Sequence, residues 1–298
     1  MRDLFLTQSS YAQGMSNQQK AVIAIRNDGF SCIIRTQPRA IAALGYTTIA
    51  AQANSDEYEQ ALRKFLQHNL LQQKFDACSI IYSNQAVGLV PKEFYSAQNA
   101  HELFTLTQPL AANETVESYN VKNSDTIILY ALPRNIVTIC NEELHANCRF
   151  FPQAAPFIEK SFVRHSAVDA LYGEMLNRTQ DNDTVGEKML YISVESYHFD
   201  VLVTKNGKLD LYNTVSFRTV NDFVYVILDL CKQLQLNPQT TNMVLSGKIS
   251  ENSNYCRALQ MFAPHAHVEN SAHSNYDFPF NSAYYSVFSN LISTELCE

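Results

Sequence analysis

The chain has 298 residues, 46% apolar and 17% charged, with a formal net charge of −7. That is apolar material enough for one large domain or two of about 150 residues each, and the acidic balance leaves no bulk attraction to nucleic acid or anionic membrane. No stretch approaches the ~18 apolar residues of a membrane-spanning helix, so no direct membrane insertion is expected. Residues 1–19 lack the basic start and long apolar run of a signal peptide. The seven cysteines form no C-x-x-C spacing and are odd in number, which reads as reduced, mostly buried thiols of a cytoplasmic protein.

In chain order, residues 1–19 are an extended or partly disordered lead-in. Ala21–Ile25, Phe30–Arg35 and Ile41–Ile49 are apolar runs, separated first by Asn27–Asp28–Gly29 and then by Pro38. Asp-Gly between apolar runs predicts a hairpin whose central residues take positive φ. Ser55, followed by acidic Asp56, Glu57 and Glu59, caps a helix predicted over Asp56–Gln72. Phe75–Ser83 and Ala86–Pro91 read as strands, and Lys92–Leu106 has helical spacing. Thr115–Val121 and Thr126–Leu132 follow as strands, the second stopped by Pro133. Arg134–His145 is a helix, Cys148–Phe151 a brief strand, and Ala155–Asn177 a helix opening with Pro156. The polar residues Thr179–Gly186 separate the two halves of the chain.

The second half repeats the first. Met189–Val194, Phe199–Thr204 and Leu209–Phe217 form a meander, joined by Glu195–Ser196–Tyr197–His198 and by the hairpin signal Asn206–Gly207. Val220–Leu236 is helical, with Asn221–Asp222 near its start. Met243–Ser246 is a strand ending at Gly247, Asn252–Phe262 a helix, His265–Glu269 a strand, and Ser282–Ser293 a closing helix. Three strands, helix, strand, helix, strand, helix, given twice, describe a duplicated α/β fold with mixed sheets. Residues 1–19 are the lead-in, 20–178 the first half and 187–298 the second.

Few residue groups carry chemistry. Gly247–Lys248 lacks the upstream glycine of a phosphate-binding P-loop, since Asn242 stands there. A two-metal nuclease needs a carboxylate on its opening strand, and Val22–Ile25 holds none. Cys256, His265, His267 and His273 fit no zinc module by spacing and read as ordinary surface and core residues. His198 and Asp200 share a strand face and could pair, with no nucleophile beside them. Sixteen tyrosines and seventeen phenylalanines, grouped at Tyr276–Phe280 and Tyr284–Phe288, suit a helical core first and a partner surface second.

The element order resembles the actin-like ATPase fold, two ribonuclease-H-like halves facing across a nucleotide cleft. The Ile127–Pro133 strand, the Arg134–His145 helix and the Cys148–Phe151 strand are similar to the segment closing the first half in the PilM/FtsA-like branch. The whole resembles an uncharacterised actin-like family of Bacteroidetes proteins, to which no function is assigned. In an active member an Asp near the end of each half's first strand organises Mg²⁺ and water, and a Gly two residues on lets backbone N–H groups reach phosphate. The resemblance places Ala24 and Arg26 at those positions in the first half and Ser193 and Glu195 in the second. Asp28–Gly29 lies in the turn, too late along the strand, although a slide of two or three residues would make it a relic phosphate loop. The adenosine loop is reduced to Gly247–Lys248. The resemblance therefore implies degenerate cleft positions, with no catalytic residue, cofactor or metal, and side chains such as Arg26, Glu195 and Lys248 narrowing the cleft. It points to a pseudo-ATPase acting through another protein. The alternative is a nucleotide-binding ATPase with divergent phosphate loops that regulates assembly with a partner.

Overall fold

The computed structural model describes residues 3–8, 19–37, 40–50, 55–83, 86–163, 188–269, 278–281 and 284–298. The chain divides into two compact units: Met1–Pro156 with Ser274–Phe280 and Asn290–Glu298, and Phe157–His273 with Asn281–Ser289. In the first unit the main strands are β1 (Asp3–Thr7), β2 (Lys20–Arg26), β3 (Gly29–Gln37), β4 (Ala40–Thr48), β5 (Ala77–Tyr82) and β9 (Cys148–Pro152). They form one mixed sheet in the order β1-β4-β3-β2-β5-β9. β2, β3 and β4 are the antiparallel meander, while β5 and β9 add in parallel. Alternate residues point to one face. Ile23, Ile25, Phe30, Cys32, Ile34, Cys78, Ile80 and Tyr82 pack there against Tyr58, Leu62, Phe65 and Leu66 of α1 (Asp56–Leu66) and Ile136, Ile139 and Cys140 of α3 (Arg134–Glu143).

Between β5 and α3 lies a smaller sheet of β6 (Val87–Pro91), β7 (Glu114–Asn120) and β8 (Thr126–Pro133), ordered β6-β8-β7. β8 is central and buried from Ile127 onward. α2 (Ala100–Thr105) covers it through the fully buried Phe104.

The second unit repeats the meander as β10 (Lys188–Val194), β11 (His198–Lys205) and β12 (Lys208–Ser216), with β13 (Met243–Gly247) and β14 (Ala266–Val268) in parallel. The sheet order is β12-β11-β10-β13-β14. Its apolar face meets α5 (Val220–Gln233) and α6 (Asn254–Gln260) in a core centred on Phe199, Phe217, Phe223 and Tyr255, whose rings pack largely edge to face. A helix over 154–163, α4, follows β9, and α7 (Tyr285–Ser293) lies near the carboxyl end. Among the described residues no helix is long and apolar enough to cross a membrane.

Several sequence expectations change. The lead-in contains β1, an edge strand whose Phe5 ring fills the space over Gly45, where a Cβ would sit 2.3 Å from it. The Asp56–Gln72 helix stops at Leu66, where His68 N–H donates to Phe65 O at 3.1 Å and tightens the last turn. The Lys92–Leu106 helix is interrupted. Ser96 N–H donates to Asn99 Oδ1 at 2.8 Å and Asn99 N–H to Ser96 Oγ at 3.3 Å, so two side chains take backbone groups that a helix would need. Only the turn Lys92–Phe94 and α2 remain. α5 does start at Val220 as expected, and Thr219 with Asp222 forms a reciprocal capping box there. In the first hairpin Asn27 and Asp28 form the turn with ordinary negative φ, and the left-handed backbone falls on Gly29 at φ +151°. A Cβ there would lie 2.1 Å from Thr47 O, so glycine is required by a close approach to β4. The second hairpin behaves as predicted, with Asn206 and Gly207 at φ 51° and 72°. Pro38, Thr179–Gly186, most of the helix expected beyond residue 163, and Ser282 lie outside the described residues.

Candidate functional site

The sequence-derived site positions fall at the carboxyl ends of β10 and β13 in the second unit and of β2 in the first. In the second unit Ser193 stands level with Ser246 and Val194 with Gly247 in the parallel ladder. Lys248 N–H continues that ladder, donating to Val194 O at 2.7 Å. Gly247 takes φ +85°, and a Cβ on it would sit 2.2 Å from Val194 O. The strand ends therefore close directly on each other. The β10–β11 turn is equally tight: Glu195 N–H donates to His198 O at 2.8 Å, leaving only Ser196 and Tyr197 between them. The Glu195 side chain is 4% exposed and its carboxylate lies 3.3 Å from Lys248 Nζ. Lys248 also donates to Ser196 Oγ at 3.2 Å. A carboxylate removed from water needs such a cation, and Lys248 supplies one to Glu195.

Behind the turn a polar row crosses the sheet. Ser246, Ser193, Asp200 and Thr214 are successive register partners on β13, β10, β11 and β12. Ser246, Ser193 and Asp200 are buried, and Thr214 Oγ1 donates to Asp200 Oδ1 at 2.7 Å. Sequence spacing set Asp200 beside His198; the structure gives its carboxylate Thr214, a cross-strand neighbour that spacing within one strand could not reveal.

In the first unit Ala24 is buried between Ser31 on β3 and Ile81 on β5. Arg26 folds back on its own hairpin, Nη1 donating to Ser31 Oγ at 2.7 Å. Tyr58 of α1 donates its hydroxyl to Arg26 O at 3.0 Å. Burial pushes the Tyr58 phenol well up, so it stays a donor. Ser83 N–H donates to Ile25 O at 3.0 Å, matching the bond from Lys248 to Val194.

Comparison with known proteins places this arrangement. A model for the family described as protein of unknown function DUF3822 matches residues 8–266. The chain belongs to the DUF3822 family. It is similar to a Bacteroides thetaiotaomicron protein with an actin-like ATPase fold and unknown function, at 20% identity, covering 85% of this chain and 91% of that one with a TM-score of 0.66. It is also similar to the PilM–PilN type IV pilus biogenesis complex (12% identity, 94% of this chain and 98% of that one, TM-score 0.56). The ethanolamine utilization protein EutJ from Carboxydothermus hydrogenoformans follows at 7% identity, 95% and 91% coverage and a TM-score of 0.50. No curated protein matches. The duplicated architecture of this DUF3822 protein is the actin-like ATPase fold.

Other polar groups of the DUF3822 chain are equally engaged. In the second unit Lys160 Nζ lies 2.9 Å from Glu269 Oε2 and donates to Ser289 Oγ at 2.6 Å, and Ser289 donates to Glu269 Oε2 at 2.5 Å. All three are buried. Sequence reading missed this cluster, although a lysine among Phe157, Ile158 and Ser161 on a predicted apolar helix was a usable signal. Cys256 is buried and its thiol is pushed up to about 11 by burial, while His265 and His267 are exposed. Among the described residues no group of three His, Cys, Asp or Glu could hold a metal; His273 lies outside them. Tyr285 and Phe288 are core residues, and Tyr276 lies outside the described residues.

Proposed function

We propose that this DUF3822 protein is a non-catalytic actin-like protein, a pseudo-ATPase acting through contact with another protein. The observation that carries the reading is the buried Glu195 paired with Lys248 at 3.3 Å at the ends of β10 and β13. Phosphate binding at such strand ends relies on unencumbered backbone N–H groups and a close, neutral approach. Here the N–H groups of Glu195, Lys248 and Ser83 donate to His198 O, Val194 O and Ile25 O, and a carboxylate adds repulsion. The turn leaves Tyr197 73% exposed, an aromatic of the kind enriched at partner interfaces, which supports the reading. The solved PilM relative is itself a complex with PilN, which supports a partner-binding role for this architecture. Nucleic acid is disfavoured as a partner by the charge of −7.

A thermal shift of the purified protein with millimolar Mg-ATP, Mg-ADP and Mg-GTP tests the reading. A ligand that binds only the native state raises the midpoint by mass action. The expected result is no shift with any nucleotide. A rise of several degrees with one of them would overturn the proposal in favour of a nucleotide-binding ATPase with divergent loops, and Ser193, Glu195 and Gly247 would be the first positions to mutate.

A further inference from the structure

Four of the seven cysteines lie in the apolar core of the first unit: Cys32, Cys78, Cys140 and Cys148. Cys78 on β5 and Cys148 on β9 are direct register partners in a parallel ladder, so their side chains leave the same face of the sheet. Neighbouring strands run about 4.8 Å apart, inside the Cα separation of roughly 4.4–6.8 Å that a disulfide spans. The Cys148 thiol itself donates to Ala146 O at 3.6 Å and Cys140 O at 4.0 Å. β9 is the outer strand of the sheet, and Cys148 at its start is only partly covered, whereas Cys78 and Cys140 are buried. One accessible thiol beside one protected thiol is the arrangement of an attacking and a resolving cysteine.

We propose that Cys148 and Cys78 form a peroxide-responsive thiol pair that closes to a disulfide across β9 and β5. The Cys148 thiolate attacks one oxygen of a hydroperoxide. The O–O bond breaks, sulfur is oxidised to the sulfenic acid, and hydrogen peroxide is reduced to water. The Cys78 sulfur then attacks the sulfenic sulfur, the S–O bond breaks, and the hydroxyl leaves as water with the Cys78 proton. Two thiols and one peroxide yield one disulfide and two waters. The electrostatics favour this order. The neighbouring Cys78 thiol holds Cys148 below its ordinary range, while the neighbouring Cys148 and burial push Cys78 well above its own. Cys32 and Cys140 are pushed up by burial, which leaves Cys148 the thiol of this core best suited to meet an oxidant.

The full chain is treated with a small molar excess of hydrogen peroxide, blocked with N-ethylmaleimide, and read by intact mass and non-reducing peptide mapping. The expected result is a species with two fewer maleimide adducts, restored by dithiothreitol treatment before blocking, with one cross-linked species joining the peptides that contain Cys78 and Cys148. Cys148→Ser should abolish both the cross-link and the early sulfenic acid trapped by dimedone. Cys78→Ser should abolish the cross-link but let dimedone label Cys148, and far-UV circular dichroism would show both variants folded. Cross-linking through other cysteines overturns the proposal. So does over-oxidation of Cys148 in the wild-type protein with Cys78 still alkylated.

Discussion

The two units carry the same meander, yet they use the second face of their sheets differently. In the first unit Lys20, Arg35 and Ser79 on that face hold the carboxyl-terminal segment. Arg35 donates to the carbonyls of Leu291, at 3.0 Å, and Ile292; Glu298 accepts from Lys20 at 2.6 Å and Ser79 at 2.7 Å. In the second unit the equivalent face bears the row Ser246–Ser193–Asp200–Thr214 and ends in the Glu195–Lys248 pair. Their glycines differ as well. Gly29 opens β3 after the turn and lets β4 approach, whereas Gly247 closes β13 onto β10. One topology thus carries different polar positions on its second face, where they sit among buried Val22, Ile33 and Ile81 in the first unit and Tyr191, Leu202 and Val244 in the second.

Substitutions at these positions should break the comparison in a definite order. Gly247→Ala and Gly29→Ala each place a Cβ within 2.2 Å of a carbonyl oxygen on backbone that L-residues avoid, and each should cost about 3 kcal/mol in urea unfolding. Equal losses would show that both units depend on strand closure; an unaffected Gly247 variant would mean the β10 and β13 ends are looser than described. Next comes Lys248→Met, which leaves Glu195 buried without its cation. With Lys248 31% exposed, about 2 kcal/mol is expected, less than for a fully buried pair, and adding Glu195→Gln should restore most of it. Tyr58→Phe removes the donor to Arg26 O and should cost about 1 kcal/mol, measured in the same unfolding series.

The smallest effect concerns Glu298. Burial pushes its carboxyl up, but the bonds from Lys20 and Ser79 outweigh burial and hold it below the ordinary glutamate range. A depressed carboxylate contributes stability that is present above its unfolded pKa and lost as pH falls through the folded one. Glu298→Gln should therefore lower stability by about 1 kcal/mol at neutral pH, and its deficit should begin to shrink as the pH falls below about 4 and vanish only below the depressed folded pKa. A constant deficit down to pH 2 would assign the loss to packing.

The repeat was legible because period-two apolar runs and the Asn206–Gly207 turn are local signals, and both meanders follow from them. β1 was not legible: Leu4–Leu6 is a short patch whose strand character depends on β4, more than thirty residues away. The break at Ser96–Asn99 was hidden because helical spacing of Phe94, Ala97 and Leu103 ignores side chains that compete for the backbone. At the candidate site, the resemblance grouped Arg26, Glu195 and Lys248 without saying which would meet, and the structure pairs Glu195 with Lys248. The Thr214–Asp200 bond, the Lys160–Glu269–Ser289 cluster and the Cys78–Cys148 pairing each join residues through register or tertiary packing, which no spacing rule encodes.

β1 also has a practical consequence. It pairs along β4 from Asp3 to Thr7 and lays Phe5 over Gly45, stacked on His68 at 3.6 Å. Without it, β4 would be a nine-residue edge, mostly apolar, with unpaired backbone groups in line, a ready template for association between copies. Removing residues 1–8 should make the chain self-associate with rising concentration, so a purification tag is better placed elsewhere than in exchange for those residues.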